Sequence, residues 1–260
     1  MHPVLVHIGF VTIYTYGLFV ALGILAALWM GTYEAQKRGI TKEQVMDMAF
    51  YAILCGFAGA RGLFVALNPS LFYGRWLDVF KIWEGGLVFY GGLIGALLAV
   101  AFYVYRHNLE PGAVLDVIAV CAPLGHAIGR MGCFFAGCCY GRICTLPWAV
   151  RFTNPQTLAR PIGVPLHPTQ LYSVLANLTI FAILFTMSRR AKCSGRLFLV
   201  YILIYGLARS FIEIFRNDPR GSVFGGMLST SQAIGLTAAV ISAAVLVVLY
   251  LRDRSKKTDG

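Results

Sequence analysis

Long apolar stretches separated by short charged segments set the pattern of this chain. Four of them, residues 1–33, 85–105, 161–188 and 221–251, contain no Asp, Glu, Lys or Arg. Each supplies the roughly 20 apolar residues that cross a bilayer as a helix. Three weaker stretches, about 46–66, 112–130 and 197–217, are also apolar but are interrupted by ionisable residues. The alternating segments of about 10 residues that mark a membrane β-barrel do not occur. The pattern predicts an all-α membrane protein of about seven transmembrane helices, forming a single polytopic domain over residues 1–260.

Composition agrees. The chain is 58% hydrophobic and 13% charged, with mean hydropathy +0.71, whereas a soluble domain carries about a quarter charged residues. The net charge of +11 does not point to nucleic acid, because no basic run is interleaved with aromatics on a polar surface. The basic residues lie between the apolar stretches, where they set topology. Starting outside places Lys37, Arg38, Lys42, Arg106, Arg189, Arg190, Lys192, Arg196, Arg252, Arg254, Lys256 and Lys257 on short cytoplasmic segments. The expected topology therefore has the N-terminus outside, an exported loop at about 131–167 and a basic cytoplasmic tail at 252–260. A cleavable leader is not expected, since residues 1–9 carry no Lys or Arg and the first apolar run is too long.

Helical rise converts position in a span into depth. With alternating directions, Tyr16, Arg61, Tyr90, Arg130, His167, Gln170, Arg209 and Glu213 all fall in the outer half of the membrane, from six helices. Ionisable groups at depth are costly and mark functional sites by default; the bland alternative for Arg61 and Arg130 is snorkelling from helix ends. Glu213 at i+4 and Arg216 at i+7 from Arg209 put an ion pair on one helical face. Three arginines at one depth call for an anion, and guanidinium groups bind phosphate bidentately. At the outer leaflet the obvious phosphate is a phospholipid headgroup.

Glycines surround two of these positions. GGLVFYGGLIG (85–95) gives a smooth helix face suited to close packing. GRMGCFFAGCCYGR (129–142) suits a tight re-entrant turn with backbone N–H groups free for an anion. Of the cysteines, Cys55 and Cys121 read as core residues and Cys193 as a reduced cytoplasmic thiol. Cys133, Cys138, Cys139 and Cys144 face the exported side, where disulfides are the default and a Cys138–Cys139 pairing is the strained one. A zinc site is not expected from their spacing; a redox-active pair is the alternative. His126, four residues before Arg130, reads as a packing histidine with lining the site as the alternative, Asp116 as an interfacial residue, and His167-Pro168 as a helix start.

Several blocks together resemble a known family. YTYG (14–17), GAR (59–61), YGGLIG (90–95), GRMGCFFAGCCYG (129–141), HPTQLY (167–172) and YGLARSFIEIFR (205–216) occur in the order found in prolipoprotein diacylglyceryl transferases, and the resemblance covers nearly the whole chain. It implies a seven-span enzyme of the bacterial cytoplasmic (inner) membrane. Such an enzyme moves the diacylglyceryl group of phosphatidylglycerol onto the lipobox cysteine thiol of an exported prolipoprotein, releasing glycerol phosphate. By the same resemblance, Arg130 binds the headgroup, Arg209 holds the phosphate and the departing ester, and Glu213 and Arg216 orient Arg209. Tyr16 and Arg61 line the lipid pocket, and Gly141 closes the signature. Arg209, Tyr90 and Glu213 form the implied catalytic set, with Arg130, Tyr16, Arg61, Arg216, His167, Gln170 and Gly141 as substrate-binding residues. The implied partners are phosphatidylglycerol, prolipoprotein signal peptides and membrane lipids, with no metal or organic cofactor.

The chain also departs from the usual signature, which resembles G-R-x-G-N-F-x-N-x-E-x-x-G. Cys133, Ala136 and Cys138 replace Asn, Asn and Glu. Tyr90 stands where histidine often precedes G-G-L-I-G, and Leu166 where arginine commonly precedes H-P-[ST]-Q. A histidine is a natural base for a thiol; a tyrosine, with pKa near 10, needs neighbouring arginines to serve. Two rival functions follow from the same residues: a lipid- or lipoprotein-binding relative without turnover, and a membrane thiol oxidoreductase using Cys138 and Cys139 with a quinone.

Overall fold

A computed structural model describes residues 2–8, 11–81, 85–190, 194–217, 221–223 and 228–258. Among these residues there are seven long helices: α1 (Thr15–Gln36), α2 (Lys42–Leu67), α3 (Phe89–Arg106), α4 (Pro111–Ala136), α5 (Thr169–Ser188), α6 (Arg196–Glu213) and α7 (Thr230–Thr258). Six are long and apolar enough to cross a membrane. The seventh, α6, carries Arg196, Arg209 and Glu213 in 18 residues. The outward surface of the helices is greasy, with Leu97, Leu98, Phe102, Val240 and Val247 all exposed, as lipid-facing helices require.

Local chemistry moves several boundaries from those expected. Residues 1–33 do not form one span. The β-branched positions of β1 (Val4–Ile8) and β2 (Val11–Tyr14) pair antiparallel, and α1 begins only at Thr15, whose Oγ donates to the His2 carbonyl at 2.6 Å. The 85–105 span starts late because Gly85 and Gly86 hold φ of +87° and +71°, outside helical space. Pro168 delimits α5 as expected, although residues 161–168 are not helical. Reciprocal capping boxes start α2 (Thr41 with Gln44, 2.9 and 3.2 Å) and α7 (Ser229 with Gln232, 3.0 and 3.1 Å). Helix α7 continues through the basic tail to Thr258.

The chain divides into two compact units, residues 32–114 and residues 1–31 with 115–260. In the first of these, α2 and α3 approach through glycines. A Cβ on Gly91 would stand 2.3 Å from the Gly59 carbonyl oxygen, and one on Gly95 equally close to that of Cys55, so close packing is what this glycine run does. Arg61 is buried there and does not snorkel.

The larger unit uses the same device twice. A Cβ on Gly23 would meet the Gly125 carbonyl oxygen at 2.7 Å, and one on Gly206 that of Gly235 at 2.5 Å. Met30, Ala119, Val120, Ile180, Leu184 and Leu197 form its membrane core. Asp116, near the start of α4, is buried, and its carboxylate accepts the backbone N–H groups of Gly195 (3.0 Å) and Phe198 (3.1 Å). It therefore caps α6 from α4, satisfying orphan donors and the positive end of the helix. After α4, residues 137–168 fold over a small core of Phe152, Ala159 and Leu166, with β3 (Val150–Arg151) paired to β4 (Pro165–Leu166). Leu166, an arginine in the usual family pattern, is an apolar residue of that core.

Candidate active site

The site assembles within the larger unit from α4, α5 and α6. Arg130, in the C-terminal part of α4, donates from Nε to Nε2 of His126 at 3.0 Å, one helical turn earlier. The acceptor role of Nε2 leaves the ring proton on Nδ1. On α6, Arg209 and Glu213 form an ion pair across one turn. Arg216 approaches the same carboxylate at 3.6 Å, and Ser229 donates from its hydroxyl to the other oxygen at 3.2 Å. Glu213 thus lies between two guanidinium groups, as the spacing along α6 implies.

Arg130 and Arg209 line one cleft, together with His126, Ser173, Asn177 and Tyr205. Among the described residues, no carboxylate belongs to that lining. The Arg209–Glu213–Arg216 triad carries net +1 and Arg130 adds another, so the charge around the cleft is positive. His126, for which packing and lining the site are the two readings from sequence, lines the cleft and orients Arg130. Asn177 is not picked out by sequence reasoning. Asn177 gives its amide proton to the Ser173 carbonyl at 2.7 Å, and its Oδ1 is buried without a hydrogen-bond partner in the cleft wall. The i to i+4 recurrence of Ser173 and Asn177 on the face of α5 is the signal that points to them. A second cleft, lined by Leu146, Trp148, Tyr172, Leu175, Phe211 and Phe215, shares Ala176, Ala208 and Ile212 with the first.

The cysteine-rich segment behaves differently from the expected re-entrant turn. Residues 129–136 are helical, and only Gly137 (φ +74°) and Cys139 (φ +58°) turn the chain back. The backbone N–H groups are engaged: Gly137 with Phe134, Cys138 with Cys133, Gly141 with His167 and Arg142 with Phe215. These four are not free for an anion. The HPTQLY block holds this turn in place. Gln170 donates to the Cys138 carbonyl and Thr169 to the Cys139 carbonyl, each at 2.7 Å. His167 meets the Tyr172 hydroxyl at 3.1 Å and packs on Phe215. Gly141 is wedged so tightly that a Cβ would stand 2.4 Å from the Phe215 carbonyl oxygen.

No disulfide joins Cys133, Cys138, Cys139 or Cys144. The sulfurs of Cys133, Cys138 and Cys139 lie within 4.8 Å of one another. Cys133 and Cys138 are separated by four residues, and one helical turn plus the Gly137 turn brings them together. Hydrogen bonds with Cys133 and Cys138, joined by the Arg216 guanidinium, hold the Cys139 thiol well below its usual range. Tyr16 lies within electrostatic range of these three thiols and of Arg130.

Arg61 and Tyr90 belong to the other unit. Arg61 donates to the carbonyls of Asp78 (2.7 Å), Val79 (2.8 Å), Gly85 (2.8 Å) and Gly86 (3.2 Å), so it organises the segment leading into α3. Tyr90, in the first turn of α3, is exposed and packs edge-on with Phe89.

Comparison with known proteins decides what this arrangement descends from. The family model "Prolipoprotein diacylglyceryl transferase" matches residues 3–248. The chain belongs to this family. A phosphatidylglycerol–prolipoprotein diacylglyceryl transferase of Clostridium tetani is 37% identical over 99% of this chain and 100% of its own length. Proteins of the same name from Vibrio parahaemolyticus (34%, 96% of this chain and 91% of the relative) and Thermosynechococcus vestitus (34%, 95% and 92%) are similar over nearly the same extent. Family membership, with six apolar helices of spanning length, makes this a multi-pass protein of the bacterial inner membrane and a transferase of lipoprotein biosynthesis.

Proposed function

We propose that this chain transfers the diacylglyceryl group of phosphatidylglycerol to the lipobox cysteine of exported prolipoprotein signal peptides and releases glycerol phosphate. One observation carries the reading. The cleft lined by Arg130 and Arg209 lies beside an apolar cleft, and Ala176, Ala208 and Ile212 line both. A charged cleft next to a greasy one suits a phosphodiester that carries acyl chains.

In the proposed reaction the substrate thiolate sulfur forms a bond to the glyceryl carbon. The carbon–oxygen bond to phosphate breaks, and its electron pair leaves with glycerol phosphate. Arg209 and Arg130 hold the phosphate and neutralise the leaving group, while Glu213 and Arg216 fix the angle of Arg209. Positioning and preorganised charge supply most of the rate enhancement in such chemistry. Tyr90, standing where the family pattern often has histidine, is the candidate acceptor of the thiol proton on the strength of its sequence position. An outside N-terminus, favoured by the distribution of Lys and Arg, puts the outer end of α4 on the face where prolipoproteins emerge.

The test mixes purified chain, phosphatidylglycerol and a lipobox peptide, and weighs the peptide by mass spectrometry. A diacylglyceryl mass gain, abolished when the peptide cysteine is serine, is expected. Release of glycerol phosphate without that gain would assign another acceptor. Lipid binding with neither product would instead support a binding relative, the reading favoured by Cys133, Ala136 and Cys138 in place of the usual polar trio.

A further inference from the structure

Beyond the transferase chemistry, the molecule carries a cluster that the reaction does not use. Cys133, on the last turn of α4, and Cys138 and Cys139, just after it, bring three sulfurs within 4.8 Å of one another. Three features show that the arrangement is built. Cys139 is a non-glycine residue held at φ +58°, a backbone conformation kept only where surrounding structure demands it. The Cys138 N–H bonds the Cys133 carbonyl at 3.1 Å, closing the turn on the helix. Thr169 and Gln170 clamp the carbonyls of Cys139 and Cys138 from outside, and Arg216 hydrogen-bonds the Cys139 sulfur.

We propose that Cys133, Cys138 and Cys139 form a three-thiolate site for a soft d10 cation, Zn2+ or Cu+. A metal–sulfur bond of about 2.3 Å in tetrahedral geometry sets sulfur–sulfur separations near 3.8 Å, so the cluster needs to contract by about 1 Å at most. Thiolate donors select such soft cations over hard ones. Three thiolates around Zn2+ leave a net charge of −1, and around Cu+ a net charge of −2. The Arg216 guanidinium complements either, in the way that outer-shell donors to sulfur tune metal sites. The thiol protons pass to solvent on binding. Three sulfur ligands leave a fourth position open on Zn2+.

The experiment uses the full detergent-solubilised chain, reduced and freed of metal, then equilibrated separately with Zn2+ alone and with Cu+ alone. Metal is counted by mass spectrometry of the protein fraction, and Cd2+ serves as a spectroscopic substitute through its thiolate charge-transfer absorption. One equivalent of Zn2+ or Cu+ per chain is expected, and the tighter of the two identifies the cation. Cys133→Ser and Cys138→Ser should each weaken binding by roughly tenfold or more, with helical content unchanged by circular dichroism. Cys144→Ser, outside the cluster, should keep the full equivalent. Absence of stoichiometric binding in folded, reduced protein overturns the proposal. So does a disulfide within the cluster in protein isolated without oxidant, which would make it a redox pair.

Discussion

Arg130 and His126 sit one turn apart on α4 and share a hydrogen bond of 3.0 Å from the guanidinium Nε to the ring Nε2. This bond engages the Arg130 Nε and leaves the terminal nitrogens of the fork for an oxyanion. The histidine aims the arginine.

His126→Phe should therefore weaken phosphatidylglycerol use while the protein stays folded. Losing a hydrogen bond to a charged partner costs about 1.5–3 kcal/mol, or roughly ten- to a hundredfold in kcat/KM. His126→Gln, which keeps an acceptor, should recover part of it. Initial rates against lipid concentration measure both variants.

Asp116 governs stability in place of chemistry. Its carboxylate caps α6, the helix that carries Arg209 and Glu213. Asp116→Ala should cost about 1–2 kcal/mol, the range of a lost helix cap, and lower the melting temperature in detergent. Asp116→Asn, which retains an acceptor, should fall between the two.

Arg61 satisfies four backbone carbonyls at once. Arg61→Lys supplies a point charge without the planar fork, so it should not rescue Arg61→Ala. Both variants should make the segment between α2 and α3 more open to limited proteolysis. Equal protease resistance in Arg61→Ala would contradict an organising role.

Tyr90 separates two accounts of thiol activation. If its phenolate takes the proton, Tyr90→Phe should lose at least tenfold in turnover at neutral pH, in keeping with the usual worth of general-base help. Tyr90→His should match or exceed the wild-type rate, with activity extending to lower pH. An unchanged Tyr90→Phe would place the proton acceptor elsewhere.

The helical class, the helix count and the arginine-bearing positions are legible in the sequence because they rest on hydropathy and on charges that a membrane makes expensive. The Arg209–Glu213 pair follows from helical spacing alone, and Arg216 joins it from the turn after α6. Other features depend on contacts distant in sequence. Asp116 resembles a residue at a span end, but its partners Gly195 and Phe198 lie about 80 positions away. Hydropathy does not tell the Val4–Tyr14 strand pair from helix, since β-branched apolar residues suit either reading in a short run. Cys133, Cys138 and Cys139 pass for disulfide candidates because the Gly137 turn that gathers three of them, and leaves Cys144 apart, is a tertiary event.

Arg209 tests the central claim most directly. The full chain and its Arg209→Ala variant, shown to be equally helical, are compared for diacylglyceryl transfer to the lipobox peptide. Removing a group that stabilises charge in the transition state should lower kcat/KM by roughly a hundred- to a thousandfold. Turnover at the wild-type rate in the folded variant would mean that the cleft between α4, α5 and α6 does not hold the phosphate.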